Sequence, residues 1–465
     1  MKWIACVAVL TACLSINNGL AQRPSPTGKK RNLQELLDNY IDGRLLEKEQ
    51  RDKTTTNVLK VLKEENVGPT ELEKLLRGSR ASYAKPARLG SLRMKQPLKC
   101  DHVDYSTEYF LYVPKTYDPG KASPLLIVGH GGNSNMPLWY ARRASLGGLQ
   151  PWIKTAEKEG IILAAPLTER GWGPIGNSVV LSLTSKMKRR YNIDPNRIYI
   201  TGHSMGGHLS WRSAITMPDR WAAVSPMSGG YDYVENKQVY NLVNVPGYAT
   251  YGKREPYQIN TFNNKIKTWM AERKFDWQLV ERQGGHEIFA DEIPKIAQFF
   301  LERPRNLYRP MVYARLGGKL VFDSPWKIHQ KKHTWRPGRG IPFSMIHWLR
   351  LEPLPEDTPK EKRIQKVLAK YEGKNKFVIV AQNAKKLKIY LHPKMVDFNK
   401  PIQVEVNGRL AFHQKVAPDR QTMLELVREF DDRGRIFHAA IEVQVTDSRN
   451  VPEPQGVTPK AKRAS

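Results

Sequence analysis

The sequence predicts an α/β architecture: a mostly parallel sheet flanked by helices, with a small helical segment before it and a β-rich, sandwich-like region after it. Three observations predict this. Short apolar runs alternate with amphipathic stretches between Leu98 and Pro310, leucines recur at 3–4-residue spacing from Asn32, and beyond residue 350 short strand-like segments surround an Asn407-Gly408 turn. With 465 residues, the chain is roughly three to four times the usual ~100–150 of one domain, so more than one folded unit is expected.

Lys2 and the apolar run Trp3–Ile16, followed by small residues up to Ala21, read as an export signal over 1–21; the run is too short to span a bilayer. Leu10-Thr11-Ala12-Cys13 resembles a bacterial lipoprotein processing box, which would attach the chain to a membrane through Cys13. The expected location is therefore secreted or periplasmic, with lipid anchoring as the alternative. Cys6 and Cys13 fall in this segment, leaving Cys100 as a lone thiol, so burial rather than a disulfide holds the mature fold.

Residues 22–90 form the helical segment. Leu33, Leu36, Leu37, Tyr40 and Ile41 share one face, Val58, Leu59 and Leu62 another, and a third helix starts at Thr70 with Glu73 in a capping-box position and stops at Gly78. Residues 91–302 carry the α/β alternation. Strand-like runs at 108–113, 125–128, 161–165, 198–201, 222–227, 247–251 and 277–281 are spaced by helical stretches at 152–158, 178–190, 205–217, 262–274 and 292–300. Residues 303–350 read as a basic connector with 11 Lys/Arg, one acid and Trp326, Trp335 and Trp348, in which His329, His333 and His347 are expected to be solvated or stacked. Residues 351–451 are β-rich with one helix near Thr422–Arg428, and 452–465 read as a disordered polar tail.

The chemistry is carried by Thr201-Gly202-His203-Ser204-Met205-Gly206-Gly207, which follows the β-run Ile198–Thr201 and opens a helical pattern. A serine flanked by glycines at both two-residue offsets suits a sharp strand-to-helix turn that pushes its Oγ clear of the sheet. A serine hydroxyl needs a base, and that base needs an acid to fix its tautomer. Gly284-Gly285-His286 follows the final strand-like run on a glycine-rich loop, which selects His286 as the base. Glu255, after the penultimate strand, is the expected acid, with Asp232 as the alternative. Acyl transfer also needs N–H donors for the oxyanion: Met205 follows the serine, and Leu125–Val128 runs into Gly129-His130-Gly131-Gly132, whose Gly131 and Gly132 are the other candidates. Trp172, on a loop at the same sheet edge, would either line the substrate pocket or anchor that loop, and His203 is a further substrate-contact candidate. No phosphate loop, dinucleotide fingerprint or spaced metal-ligand motif is read, so no cofactor or metal is expected.

On His130-Gly131-Gly132, the run Asp194 to Gly207 and Gly285-His286, about residues 105–302 resemble the α/β-hydrolase superfamily, and within it the secreted serine esterases similar to polyhydroxybutyrate depolymerases, feruloyl esterases and acetylxylan esterases. The resemblance implies Ser204 as nucleophile and His286 as general base, with Glu255 standing where relatives mostly carry Asp. It leaves the helical segment and β-rich region unaccounted for, so the substrate is not borrowed from it; the expected activity is carboxylic ester hydrolysis through an acyl-enzyme. Two other readings are open: a serine peptidase of prolyl-oligopeptidase type, and a non-catalytic protein binding anionic glycans. The formal charge of +30, a third of it in 303–350, makes anionic polysaccharide a candidate partner, while an export signal disfavours nucleic acid.

Overall fold

The computed structural model describes residues 28–456 except 81, 84, 85, 87, 134, 231–237, 318–343, 356, 360 and 361. The export segment with Cys13, Asp232, and Trp326, Trp335, His329 and His333 lie outside the described residues. No described helix is long and apolar enough to cross a membrane.

Helices α1 (Gly28–Asp42), α2 (Lys48–Glu64) and α3 (Pro69–Arg77) come first. The central sheet then runs through β1 (Leu92–Lys99), β2 (Ser106–Tyr112), β3 (Ser123–Gly129), β4 (Ile162–Pro166), β5 (Ile193–His203), β6 (Ala223–Met227), β7 (Gly247–Gly252) and β8 (Trp277–Arg282), in the spatial order β1-β2-β4-β3-β5-β6-β7-β8. Pairings of β2 with β1 and with β4 are antiparallel, and β4 through β8 are parallel. Helices α4 (Leu138–Leu149), α5 (Ile153–Glu159), α6 (Pro174–Arg190), α7 (Met205–Thr216), α8 (Tyr257–Glu272) and α9 (Ile293–Leu301) connect and cover it. Alternation along β3 sends Leu125 and Ile127 into one core with Leu209 and Trp211, and Leu126 and Val128 into another with Trp152 and Phe300. A strand buried on both faces must be apolar throughout, which is why these runs read as continuous. The arrangement is that of an α/β-hydrolase.

The sequence analysis misses β1 and α4 for physical reasons. β1 is a half-exposed edge strand containing Pro97, and α4 carries Gly147 and Gly148 in its interior.

A β-sandwich follows. One sheet has the order β16 (Arg409–Gln414), β15 (Ile402–Val406), β13 (Lys376–Gln382), β12 (Ile364–Tyr371), β9 (Met311–Gly317); the other has β10 (Met345–Ile346), β11 (Leu349–Leu351), β14 (Lys386–Leu391), β17 (Ala439–Gln444). Val312, Trp348, Val367, Phe377, Ile379 and Ile389 fill the space between them. Asn407 and Gly408 both have positive φ, 52° and 78°, as the tight β15–β16 turn demands.

Three expectations change. The range 303–350 is not simply a connector: β9, β10 and β11 lie within it, Trp348 is fully buried against Phe377, and His347 is buried with its Nε2 against Asn244 O. Four of its five described arginines are engaged within the chain, by Asp276 (Arg303), Asp432 (Arg305), Val243 O (Arg309) and Glu429 (Arg350). The start of the tail is ordered too: the Glu453 carboxylate takes Arg273 and the Tyr240 hydroxyl, and Gly456 N–H donates to Arg273 O at 2.7 Å. Finally, Glu73 caps nothing; α3 starts with Pro69 after Gly68, and the Glu73 carboxylate accepts from Arg77, His392 and His438.

The N-terminal helices share their core with a distant segment. Leu37, Leu62, Leu72 and Leu76 close over Met423, Leu424 and Val427 of α10 (Arg420–Phe430). Between these units and the hydrolase sheet lies a band of buried charge. Arg305 grips Asp432 bidentately at 2.6 and 2.9 Å, and Arg435 meets Asp219 at 2.7 Å, with all four side chains under 8% exposed. Such pairs contribute little net stability over an apolar isostere, but breaking one strands its partner. Arg305→Ala is therefore expected to lower unfolding free energy by about 3–5 kcal/mol in a denaturant titration, and Asp432→Ala added to it should recover part of that loss; an unchanged midpoint in the single variant would refute the assignment.

Candidate active site

β5 ends at His203 and α7 starts at Met205, so Ser204 alone makes the turn, with φ 57° and ψ −117°. A non-glycine residue held there is strained, and the surrounding backbone has to enforce it. It does so by close approach: a methyl on Gly202 would come 2.5 Å from Gly129 O, and one on Gly206 2.1 Å from the same atom. The flanking glycines are thus required because β3 and α7 cross there without room for a side chain.

His286, on the loop after β8, places Nε2 2.8 Å from Ser204 Oγ, and its Nδ1 lies 2.6 Å from Glu255 Oε2. The Glu255 side chain is fully buried, and its Oε1 accepts from Gly252 N–H at 3.3 Å. With the carboxylate on Nδ1, that nitrogen carries the proton, and Nε2 presents a lone pair to the hydroxyl. Ser204, His286 and Glu255 are therefore brought together in one relay.

Gly131 packs against this turn; a methyl on it would lie 3.4 Å from Ser204 Cβ. Its carbonyl accepts from His130 Nδ1 at 2.8 Å. A trans peptide points its N–H away from its C=O, so this bond also sets the direction of the Gly132 N–H. His130 is itself held: Thr168 N–H donates to its Nε2 at 3.1 Å, and burial pushes its pKa down to about 4. Trp172 is 4% exposed and donates its indole N–H to His130 O at 2.9 Å, while Arg212 Nη1 donates to Trp172 O at 2.6 Å. Trp172 thus braces the glycine loop. Thr168 and Arg212 complete that brace and were not singled out by sequence reasoning, since lone Thr and Arg residues carry no local pattern. Met205 occupies the first position of α7, where backbone N–H groups lack helical acceptors. His203 sits with its ring 4.8 Å from the His286 ring; its Nε2 is buried without a hydrogen-bond partner among the described residues, and burial, then the His286 charge, lowers its pKa to about 4.

One three-dimensional cluster escapes motif reading. Glu73, His392 and His438 bring ligand atoms within 4.8 Å of one another. Lys394 N–H donates to His392 Nδ1 at 3.0 Å, which puts that ring's proton on Nε2, facing Glu73 Oε1 at 3.1 Å. His438 Nε2 meets the other carboxylate oxygen at 2.7 Å, and Arg77 also donates to Glu73. Burial opposes its ionisation, yet these bonds hold the carboxyl well below the usual range. The trio is a carboxylate receiving N–H groups, not a set of lone pairs converging on a metal.

Residues 181–340 match the Esterase family. The catalytic unit resembles the esterases of the α/β-hydrolase superfamily. Curated relatives include a bifunctional acetylxylan esterase/xylanase of Neocallimastix patriciarum, 30% identical over 26% of this chain and 17% of that protein, and feruloyl esterase C of Emericella nidulans, 28% identical over 29% of this chain and 52% of that protein. Poly(3-hydroxyalkanoate) depolymerase C of Paucimonas lemoignei is 37% identical over 51 residues, covering 11% of this chain and 12% of that protein. The chain thus spans about half or less of the length of these relatives. Among solved structures, a ferulic acid esterase aligns at 17% identity over 46% of this chain and 98% of that one, with a TM-score of 0.39. The feruloyl esterase module from Clostridium thermocellum aligns at 16% over 48% and 96%, with a TM-score of 0.38.

Three buried histidines give the fold a pH dependence. His130 and His203 are lowered to about 4 and His347 to about 3, each by burial first. Unfolded, each titrates near ~6.5. Below that the unfolded chain binds protons the folded chain refuses, so their contribution is complete above ~6.5 and is lost as pH falls towards 4. Urea midpoints should decline steadily across this window, with net proton uptake on unfolding; a flat profile from pH 7 to 4.5 would contradict the burial of these rings.

Proposed function

We propose that this chain is an exported serine carboxylic ester hydrolase that works through an acyl-enzyme. The observation that carries the reading is the relay from Ser204 Oγ through His286 to the buried Glu255, at 2.8 and 2.6 Å. In it, Ser204 Oγ attacks the ester carbonyl carbon while His286 Nε2 takes its proton. Glu255 stabilises the resulting imidazolium, and the N–H groups of Met205 and of Gly131 or Gly132 receive the tetrahedral oxyanion. The imidazolium returns the proton to the departing alkoxide; water, activated by the same imidazole, then releases the acid and frees Ser204. His203, with an unsatisfied Nε2 beside His286, is suited to contact a substrate oxygen.

The rim supports a carbohydrate-borne ester as substrate class. Trp139 and Tyr140, at the start of α4, are 63% and 42% exposed, with ring centroids 5.8 Å apart. They adjoin the oxyanion loop: a methyl on Gly132 would sit 3.3 Å from Tyr140 Cε1. Tyr257, two residues beyond Glu255, is 83% exposed. Solvated aromatic faces flanking a reactive serine suit stacking on sugar rings. Four of the five described arginines of 303–350 are engaged within the chain, so this reading needs no anionic polysaccharide.

Ser204→Ala is expected to lower kcat/KM on nitrophenyl acetate by at least about 10³-fold, and Glu255→Gln, which preserves volume, by a comparable factor through the wrong histidine tautomer. Full activity of Ser204→Ala, or peptide cleavage without ester turnover, would overturn the reading. Trp139→Ala and Tyr257→Ala should raise KM for acetylated or feruloylated xylan severalfold while leaving nitrophenyl acetate turnover unchanged. Equal effects on both substrates would remove the rim from the assignment.

A further inference from the structure

Where the N-terminal helices, the hydrolase unit and the sandwich meet, there is a cavity of ≈ 50 Å³ lined in part by Arg44, Lys188, Arg220, Arg305, Glu429 and Asp432. Its carboxylates are already engaged. Asp432 is taken bidentately by Arg305, Glu429 by Arg350 at 2.6 Å, and nearby Asp219 by Arg435 at 2.7 Å. Asp431 is shared between Lys188 at 3.8 Å, Arg189 at 3.4 Å and Arg44 Nε at 3.9 Å, and Asp101 is bound by Arg44 Nη2.

The Arg220 guanidinium and one nitrogen of Arg44 are left over. Arg44 is 9% exposed, and its Nη1 is buried with no hydrogen-bond partner among the described residues. Arg220 stacks on Phe430 at 4.1 Å, and its side chain has no carboxylate within ion-pair distance among the described residues. Burial, reinforced by Arg435, pulls its pKa down to about 9 against the attraction of Asp219, Asp432 and Glu429, each of which another arginine already holds. A guanidinium cannot shed its proton to escape burial as a lysine can, so a cation in this position calls for a counter-charge.

We propose that this cavity binds one small inorganic oxyanion, phosphate or sulfate, between the guanidinium of Arg220 and Nη1 of Arg44, with Lys188 beside it. A planar fork matches two oxygens of a tetrahedral anion. At ~10–15 Å³ per water-sized position, the space admits about four oxygen-sized atoms and excludes a nucleotide or a sugar. Arg44 follows α1, Arg220 precedes β6, and Phe430 ends α10, so the anion fastens all three units at one point. It plays no part in the chemistry at Ser204.

The test uses the full chain, refolded from denaturant into phosphate- and sulfate-free chloride buffer of fixed ionic strength. Equilibrium dialysis against labelled inorganic phosphate should show uptake of about one equivalent, and the thermal midpoint should rise with the logarithm of phosphate concentration. Arg220→Met, which keeps the contact with Phe430 and lacks N–H groups, should lose both responses while turning over ester substrate normally. No uptake by the wild-type chain overturns the proposal. So does an unaltered uptake in Arg220→Met, or a wild-type response that chloride reproduces at equal ionic strength. Should Arg220→Met fail to fold, wild-type dialysis decides: a saturable single equivalent supports the site, and its absence removes it.

Discussion

The edge of the sheet that carries Ser204 hangs on one crowded crossing, where the carbonyl of Gly129 approaches Gly202 and Gly206 so closely that neither tolerates a Cβ. Because β3, β5 and α7 meet without side chains between them, Ser204 is forced to a positive φ of 57° and its hydroxyl is lifted off the sheet. The same contact brings Gly131 against the serine, so the proposed nucleophile and the glycine loop proposed to receive the oxyanion are positioned by one packing constraint. His286 and Glu255 arrive from strands further along the sheet and need only the correct register of β7 with β8, a parallel pairing running from Gly247–Trp277 to Gly252–Arg282. Strain of this kind is stable only when backbone on every side insists on it.

How much of this is legible in the sequence depends on whether the relevant physics is local. The turn at Ser204 is, because glycines two residues either side record a steric demand of that very segment. So is the Asn407-Gly408 hairpin, whose two positive φ angles are a property of two adjacent residues. His286 and Glu255 follow once strand order supplies the loops. The brace behind the glycine loop is legible only at Trp172: Thr168 and Trp172 bond His130 some 40 residues away and Arg212 bonds Trp172 O, and nothing in the neighbourhoods of Thr168 and Arg212 announces it. The stretch 303–350 misleads for a related reason. Arginines, tryptophan and prolines suggest a solvated connector, whereas β9 hides Val312 and Ala314 in the sandwich core and its Arg315 backbone N–H bonds Asn241 of the hydrolase unit.

Those partners qualify what the net charge of +30 means. Several of the basic groups counted in it never face a ligand from outside. Arg305 and Arg435 are interior fasteners, each matched to a carboxylate contributed by a distant segment, Asp432 or Asp219. Buried ion pairs of this sort add specificity of docking more than stability, because each excludes every alternative juxtaposition that would leave a charge alone. The arrangement joins a helical cap, a catalytic sheet and a sandwich in a single relative orientation.

The sharing of one core between α1–α3 and α10 has a consequence for how the chain is made. Helices α1–α3 cannot finish burying Leu37, Leu72 and Leu76 until a helix some 350 residues later exists to receive them. The cap is thus translated well before it can become native, and part of its apolar face waits uncovered in the meantime. A chain of such high sequence separation closes slowly and depends on being kept from premature association until its far end emerges.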